Sequence, residues 1–111
     1  MTDWVDAGDA SRLDAAGRTL VRIQGHQIVV FRSADTLHAI DDSCPHSGAS
    51  LCTGRLDDSG HVRCPAHGLR FRLSDGRMAG SPQGTAALTV RVYPVRVSDG
   101  VIQIQLGGDS R

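Results

Sequence analysis

The chain has 111 residues, enough for one domain with its own core and too few for a separate catalytic domain beside it. Twelve Lys and Arg balance twelve Asp and Glu, so composition carries no nucleic-acid or polybasic membrane footprint. No apolar run is long enough to span a bilayer and residues 1–25 do not read as a signal peptide, which together predict a soluble cytoplasmic protein with reduced thiols.

Thirteen Gly and alternating apolar segments predict many short strands rather than helices. Trp4-Val5-Asp6-Ala7 reads as a first strand with Trp4 as a core plug, and residues 8–17 hold at most a short helical turn. Between Thr19 and Phe31 two β-branched runs flank Gly25, the pattern of a hairpin. After a turn at residues 32–35, a short strand over Thr36 to Ile40 leads through Asp41-Asp42-Ser43 to Cys44. Leu56 to Gly60 makes a turn, His61-Val62-Arg63 leads as a strand to Cys64, and Leu69 to Leu73 pairs back, closed by Ser74-Asp75-Gly76. Gly80-Ser81-Pro82-Gln83-Gly84 is a Gly/Pro loop. Leu88, Val90 and Val92 share a face, Pro94 breaks the strand, and the apolar phase then shifts to Val95 and Val97. Ser98-Asp99-Gly100 turns into a last strand with Ile102, Ile104 and Leu106 on one face, and residues 107–111 are expected to fray. The resulting expectation is an all-β antiparallel sandwich or barrel. Residues 1–111 form one domain, with a basal sheet from about 4–42 and 85–106 and a small inserted subdomain over about 43–77.

The chemistry concentrates in that insert. Cys44-Pro45-His46-Ser47-Gly48 and Cys64-Pro65-Ala66-His67-Gly68 present C-x-H, seventeen intervening residues (47–63), then C-x-x-H. Two thiolates and two imidazoles suit either zinc or an iron–sulfur cluster in which His replaces Cys on one iron. Cys₂His₂ zinc sites usually pair Cys with Cys and His with His in sequence, whereas each loop here mixes the two, which fits a two-iron cluster better. A zinc-stabilised interaction module is the rival reading from another class.

With both ligand boxes in place, the sequence resembles the Rieske 2Fe-2S family. The resemblance implies one [2Fe-2S] cluster, with Cys44 and Cys64 on the inner iron and His46 and His67 on an outer iron near solvent. It places Gly48, Ala66, Gly68, Leu69 and Phe71 around the site and lets the Pro82 loop pack over it. Members with a disulfide carry Cys at the positions of Ala49 and Ala66, so no cross-link is expected here, and Cys52 reads as a small packed thiol. His26, His38 and His61 show no paired spacing for a mononuclear iron and read as surface or strand-end residues. No G-x-G-x-x-G follows a strand, so no substrate chemistry is expected of the chain itself. The resemblance implies a monomeric Rieske-type ferredoxin that passes electrons from an NAD(P)H-dependent flavoprotein reductase to a terminal oxygenase of the aromatic-ring dioxygenase type, through transient contacts and without nucleic acid or membrane. The small subunit of an assimilatory nitrite reductase is the nearest alternative, although such subunits often lack the ligands.

Members of high potential donate Ser and Tyr hydroxyls to cluster sulfur from positions held here by Leu69 and Phe71. We therefore expect a midpoint near the low end of the range of about −150 to +300 mV, which protein-film voltammetry can measure; a value above roughly +100 mV contradicts this. Phe71→Tyr and Leu69→Ser should each raise the potential if the new hydroxyl reaches sulfur. Because each imidazole keeps a second ring nitrogen that can lose a proton, the potential should be flat near neutrality and fall at alkaline pH. A flat curve up to about pH 10 would mean buried rings.

Overall fold

The computed structural model describes residues 4–33, 35–45, 48–57, 59–66, 68–79 and 89–106. Among the described residues ten strands, β1 (Trp4–Asp9), β2 (Arg18–Ile23), β3 (His26–Ser33), β4 (Thr36–Asp41), β5 (Arg55–Leu56), β6 (His61–Arg63), β7 (Arg70–Arg72), β8 (Val92–Tyr93), β9 (Val95–Ser98) and β10 (Val101–Gln105), accompany one short α-helix, α1 (Arg12–Ala16), and a 3₁₀ turn at Leu51–Thr53. They form three antiparallel sheets, ordered β1-β10-β9, β2-β3-β4-β8 and β5-β6-β7. Among the described residues no helix is long and apolar enough to cross a membrane.

The sheet β2-β3-β4-β8 lies in the middle, and the sequence of β3 explains why. Side chains alternate across a strand, so an unbroken apolar run must bury both faces. Ile28, Val29, Val30 and Phe31 are all fully buried, but they serve two cores. Ile28 and Val30 pack with Val21, Ile23, Ala39, Tyr93, Ile102 and Ile104, between the central sheet and β1-β10-β9. Val29 and Phe31 pack on the other side with Ile40, Leu51, Val62, Phe71, Leu73 and both Cys44 and Cys64. Full burial of each such side chain contributes about 1.5–3 kcal/mol, so the strand stabilises both layers at once.

Tight turns set the registers. Gln24 and Gly25 both take positive φ (50° and 83°) between the paired residues Ile23 and His26, and Asp99 and Gly100 do the same (52° and 77°) between Ser98 and Val101. Two consecutive left-handed residues make the turn whose twist matches antiparallel strands, which is why each loop ends in Gly. The register of β1 against β10 slips between Asp6 and Gly8, a bulge at Ala7. Pro94 breaks the C-terminal strand as expected and does more: β8 belongs to the central sheet and β9 to the outer one, so Pro94 is where the chain changes sheets.

Two expectations are corrected. Trp4 is only partly buried and lies outside both cores; its ring instead carries the Arg96 guanidinium at 4.2 Å from its centroid. Val97 is 42% exposed on β9, the edge strand of its sheet. Leu88, the loop at residues 80–84 and residues 107–111 lie outside the described residues.

The core around the Cys residues is closed by a backbone approach at Gly76. Its φ is +77°, Val90 donates its N–H to the Gly76 carbonyl at 2.9 Å, and a Cβ built on Gly76 would lie 2.0 Å from the Val90 oxygen. Gly25 has a similar φ of +83° but nothing within 4 Å of a Cβ. Gly25→Ala should therefore cost only the left-handed penalty of about 1–2 kcal/mol. Gly76→Ala should cost about 2 kcal/mol more, as strain is added to conformation. Urea midpoints of the two variants check this, and equal losses would rule out the close approach.

Candidate metal centre

Cys44 and Cys64 sit at the starts of two loops built alike. The first is flanked by the bridged pair Ser43 and Ser50, the second by the paired residues Arg63 and Arg70, each pair seven positions apart. Within the first, the Cys44 N–H donates to the Ala49 carbonyl at 2.9 Å and the Gly48 N–H to the Cys44 carbonyl at 2.8 Å. Within the second, the Cys64 N–H donates to Leu69 at 2.7 Å and the Gly68 N–H to Cys64 at 2.9 Å. Gly48 and Gly68 take φ of 78° and 76°, the left-handed conformation that lets each chain reverse within a few residues. A shift of twenty positions thus maps one loop's backbone onto the other's. The histidines do not follow that shift, since Ala66 occupies the equivalent of His46 and His67 the equivalent of Ser47.

Both thiols point into one apolar cluster. Cys44 is 2% and Cys64 1% exposed, and both pack with Leu51, Val62, Leu69 and Phe71. None of the three cysteines is in a disulfide. Phe71 is fully buried and lies opposite Val62 in the pair β6 and β7, so its ring helps line the pocket side that faces away from solvent. The structure brings Cys44, Cys64, Gly48, Gly68, Leu69 and Phe71 together, with Ala66 exposed on the second loop. His46, His67 and Pro82 lie outside the described residues, and among those described no three His, Cys, Asp or Glu side chains gather as a metal would require.

Sequence reasoning missed two residues that hold the first loop in place. Asp42, 5% exposed, accepts hydrogen bonds on Oδ1 from Ser50 Oγ at 2.9 Å and from the Cys52 N–H at 2.8 Å. A buried carboxylate left without donors would be costly, so these bonds tie the 3₁₀ turn at Leu51–Thr53 to the end of β4. Arg18, on β2, donates from Nη1 to the carbonyls of Cys52 at 2.7 Å and Gly54 at 2.6 Å while its guanidinium lies 5.0 Å from the centre of the Phe31 ring. Neither residue carries a sequence signal, because Arg18 reaches main-chain carbonyls 34 and 36 positions away and the Asp42 partners, the Ser50 hydroxyl and the Cys52 N–H, follow no local motif.

Cys52 is partly buried beside the same core; its thiol pKa is raised first by burial and then by the nearby Asp42 charge, which keeps it protonated and inert. Of the remaining histidines, His26 and His61 open β3 and β6, strand-end positions as expected, whereas His38 lies within β4. His61 keeps only 16% of its side chain exposed, with Nδ1 3.1 Å from Ser59 Oγ and 3.6 Å from Asp57. The Asp57 carboxyl is held down at about 2, chiefly by the His61 backbone N–H, so it is ionised beside that ring. Partial burial lowers the pKa of His38, and His26 meets Tyr93 edge-on at 6.1 Å. These rings sit on separate elements.

Comparison with known proteins gives the arrangement its relatives. A family model described as Rieske [2Fe-2S] domain matches residues 3–94. The chain is 38% identical over 87 residues to the anthranilate 1,2-dioxygenase ferredoxin subunit of Burkholderia cepacia, covering 78% of this chain and 77% of that one. It is 31% identical over 112 residues to the 3-chlorobenzoate-3,4-dioxygenase oxygenase subunit of Comamonas testosteroni, and there it spans only 26% of the relative's length. Among solved structures, a chain from the complex of reduced oxygenase and oxidized ferredoxin in carbazole 1,9a-dioxygenase superposes with a TM-score of 0.81 at 28% identity, covering 97% of each. The NADH-dependent nitrite reductase small subunit from Mycobacterium tuberculosis, named as putative, gives 0.81 at 29% identity, covering 98% and 99%. A family model spanning most of the chain, and a relative this similar over most of both lengths, mean that this chain belongs to the Rieske [2Fe-2S] domain family.

Proposed function

We propose that Cys44, His46, Cys64 and His67 hold one [2Fe-2S] cluster, and that the chain carries single electrons to a terminal oxygenase of the aromatic-ring dioxygenase type from an NAD(P)H-dependent flavoprotein reductase. One observation carries the reading: two loops of the same hydrogen-bonded build set two buried sulfurs in one apolar cluster. That donor set fits the group, because soft sulfur ligands are offered on the dry side of the site while the imidazoles come one position apart on the two loops. When bound, such a cluster supplies one-electron chemistry whose potential depends on ligand charge, hydrogen bonds to sulfur and exposure.

The chain's own residues then do three things. Gly48 and Gly68 turn the loops so that their main chains fold back over the Cys positions. Leu51, Val62 and Phe71 exclude water from the inner side, and the apolar Leu69 and Phe71 offer no hydroxyl to sulfur, which favours a low potential. Asp42 and Arg18 fix the first loop without titrating metal ligands. We read the chain as a non-enzymatic, monomeric, cytoplasmic carrier. Residues 1–111 act as one Rieske domain in this reading, with about 43–77 as the cluster-binding insert; β5, β6 and β7 form a sheet of their own, and the bridge from Phe71 of β7 goes to Met78, close to the same segment, which supports it.

The likeness to a nitrite reductase small subunit supports a second destination for the electron. Anaerobically purified protein should be brown-red, with about two irons and two labile sulfides per chain. Cys44→Ala and Cys64→Ala should each lose the colour, whereas Cys52→Ala should keep it. Zinc in place of iron, or no iron and sulfide after attempted reconstitution, would sink the assignment. Reduction of a ring-hydroxylating oxygenase, compared with a nitrite reductase large subunit, separates the two destinations.

A further inference from the structure

The sheet β5-β6-β7 presents a row that composition hides. Arg55 lies opposite Arg63, and Arg63 opposite Arg70, so three arginines stand side by side across three strands. The adjacent row, Leu56, Val62 and Phe71, faces inward, which turns the arginines outward; Arg55 and Arg63 are exposed and Arg70 keeps 40% of its side chain in solvent. Like charges directly opposite each other on a sheet destabilise it, so the row works against the fold. Several guanidinium groups elsewhere find partners: Arg32 meets Asp14, Arg72 meets Asp75, and Arg18 meets two carbonyls. In the row, Arg70 has a carboxylate within reach, Asp57 at 3.4 Å. Among the described residues Arg55 and Arg63 have no carboxylate partner, and Arg63 has only a long 3.5 Å contact to the Gly68 carbonyl.

Position adds the second observation. Arg63 immediately precedes Cys64, and Arg55 and Arg63 flank a cleft of about 360 Å³ whose lining continues through Gly54, Pro65 and Gly68 to Cys64. We propose that this row is a docking surface for an acidic face of the electron-transfer partner, with a partner Asp or Glu seated between Arg55 and Arg63 beside the second Cys loop. The inference rests on the carrier reading above and adds to it the charge of the partner. Strands in a sheet lie about 4.8 Å apart, so the row spans roughly 10 Å, the width of a small cluster of carboxylates. Nucleic acid fits the face less well, for its outward residues include no Phe, Tyr or Trp on which bases could stack and the whole chain carries no net charge. A positive patch beside the second Cys loop would steer a partner into a productive encounter without needing a large interface.

Reduced holoprotein, mixed in stopped flow with the trianion tris(oxalato)cobaltate(III) or the trication hexaamminecobalt(III), passes one electron to Co(III), giving Co(II), and reports the field at the exit. The trianion should react faster as salt is lowered and the trication slower. The Arg55→Glu/Arg63→Glu variant should slow the trianion by roughly tenfold at low salt and reverse both slopes. Poly-L-glutamate should inhibit the wild type and not that variant, and Arg55→Gln/Arg63→Gln, which adds no charge of its own, should lie between them. Unchanged slopes and inhibition in variants that retain iron and the cluster spectrum overturn the row alone. Stronger inhibition by a duplex DNA than by poly-L-glutamate assigns the face to nucleic acid and also overturns it. Wild-type protein without iron overturns the carrier reading and this inference with it.

Discussion

Burial of β3 on both faces is the constraint on which the rest depends. A strand with Ile28 and Val30 in one core and Val29 and Phe31 in another cannot be an edge and cannot face water, so one sheet must cover each side. The outer sheet β1-β10-β9 covers the first side. The unit holding Cys44 and Cys64 covers the second, and the floor of the candidate centre is therefore the back of the domain's most buried strand. Site rigidity follows from core packing, because interiors packed at crystal-like density do not deform by small steps.

That arrangement separates two jobs that conflict when one segment performs both. Loops that grip a metal group must be held in advance, yet short loops with polar main-chain atoms do not hold themselves. Here each loop satisfies its own backbone through paired i to i+4 and i to i+5 bonds, and the first is additionally tied down by Asp42 and Arg18 from the central sheet. The buried Asp42 carboxylate and the part-buried Arg18 do not pair with one another in a salt bridge; each meets main-chain groups, which brings directional hydrogen bonds and avoids tying stability to a single charge pair.

The near repeat of the two loops bears on how the donors differ. Equivalent backbones put Cys44 and Cys64 in equivalent places, while the one-position offset of His46 against His67 breaks the equivalence at the imidazoles alone. Thiols are short, and their position follows the main chain closely. The outward face of the same insert carries the arginine row, so one small sheet presents apolar side chains toward the centre and positive charge toward solvent, as strand alternation requires.

Much of this was legible in the residues themselves. Alternation and turn chemistry marked the strands; Gly25 and Gly100 marked two hairpins; Pro94 marked a break; and the two Cys-Pro boxes marked the candidate centre, because those signals are local and span a few positions. Tertiary structure alone decided what depends on residues far apart in sequence. It showed that the apolar run in β3 divides between two cores, that Pro94 passes the chain from one sheet to another, that Trp4 is a half-buried stacking partner for Arg96, and that Asp42 and Arg18 brace the first loop. It also set Arg55, Arg63 and Arg70 in one line, since strand register, which no single strand encodes, determines which side chains stand opposite one another.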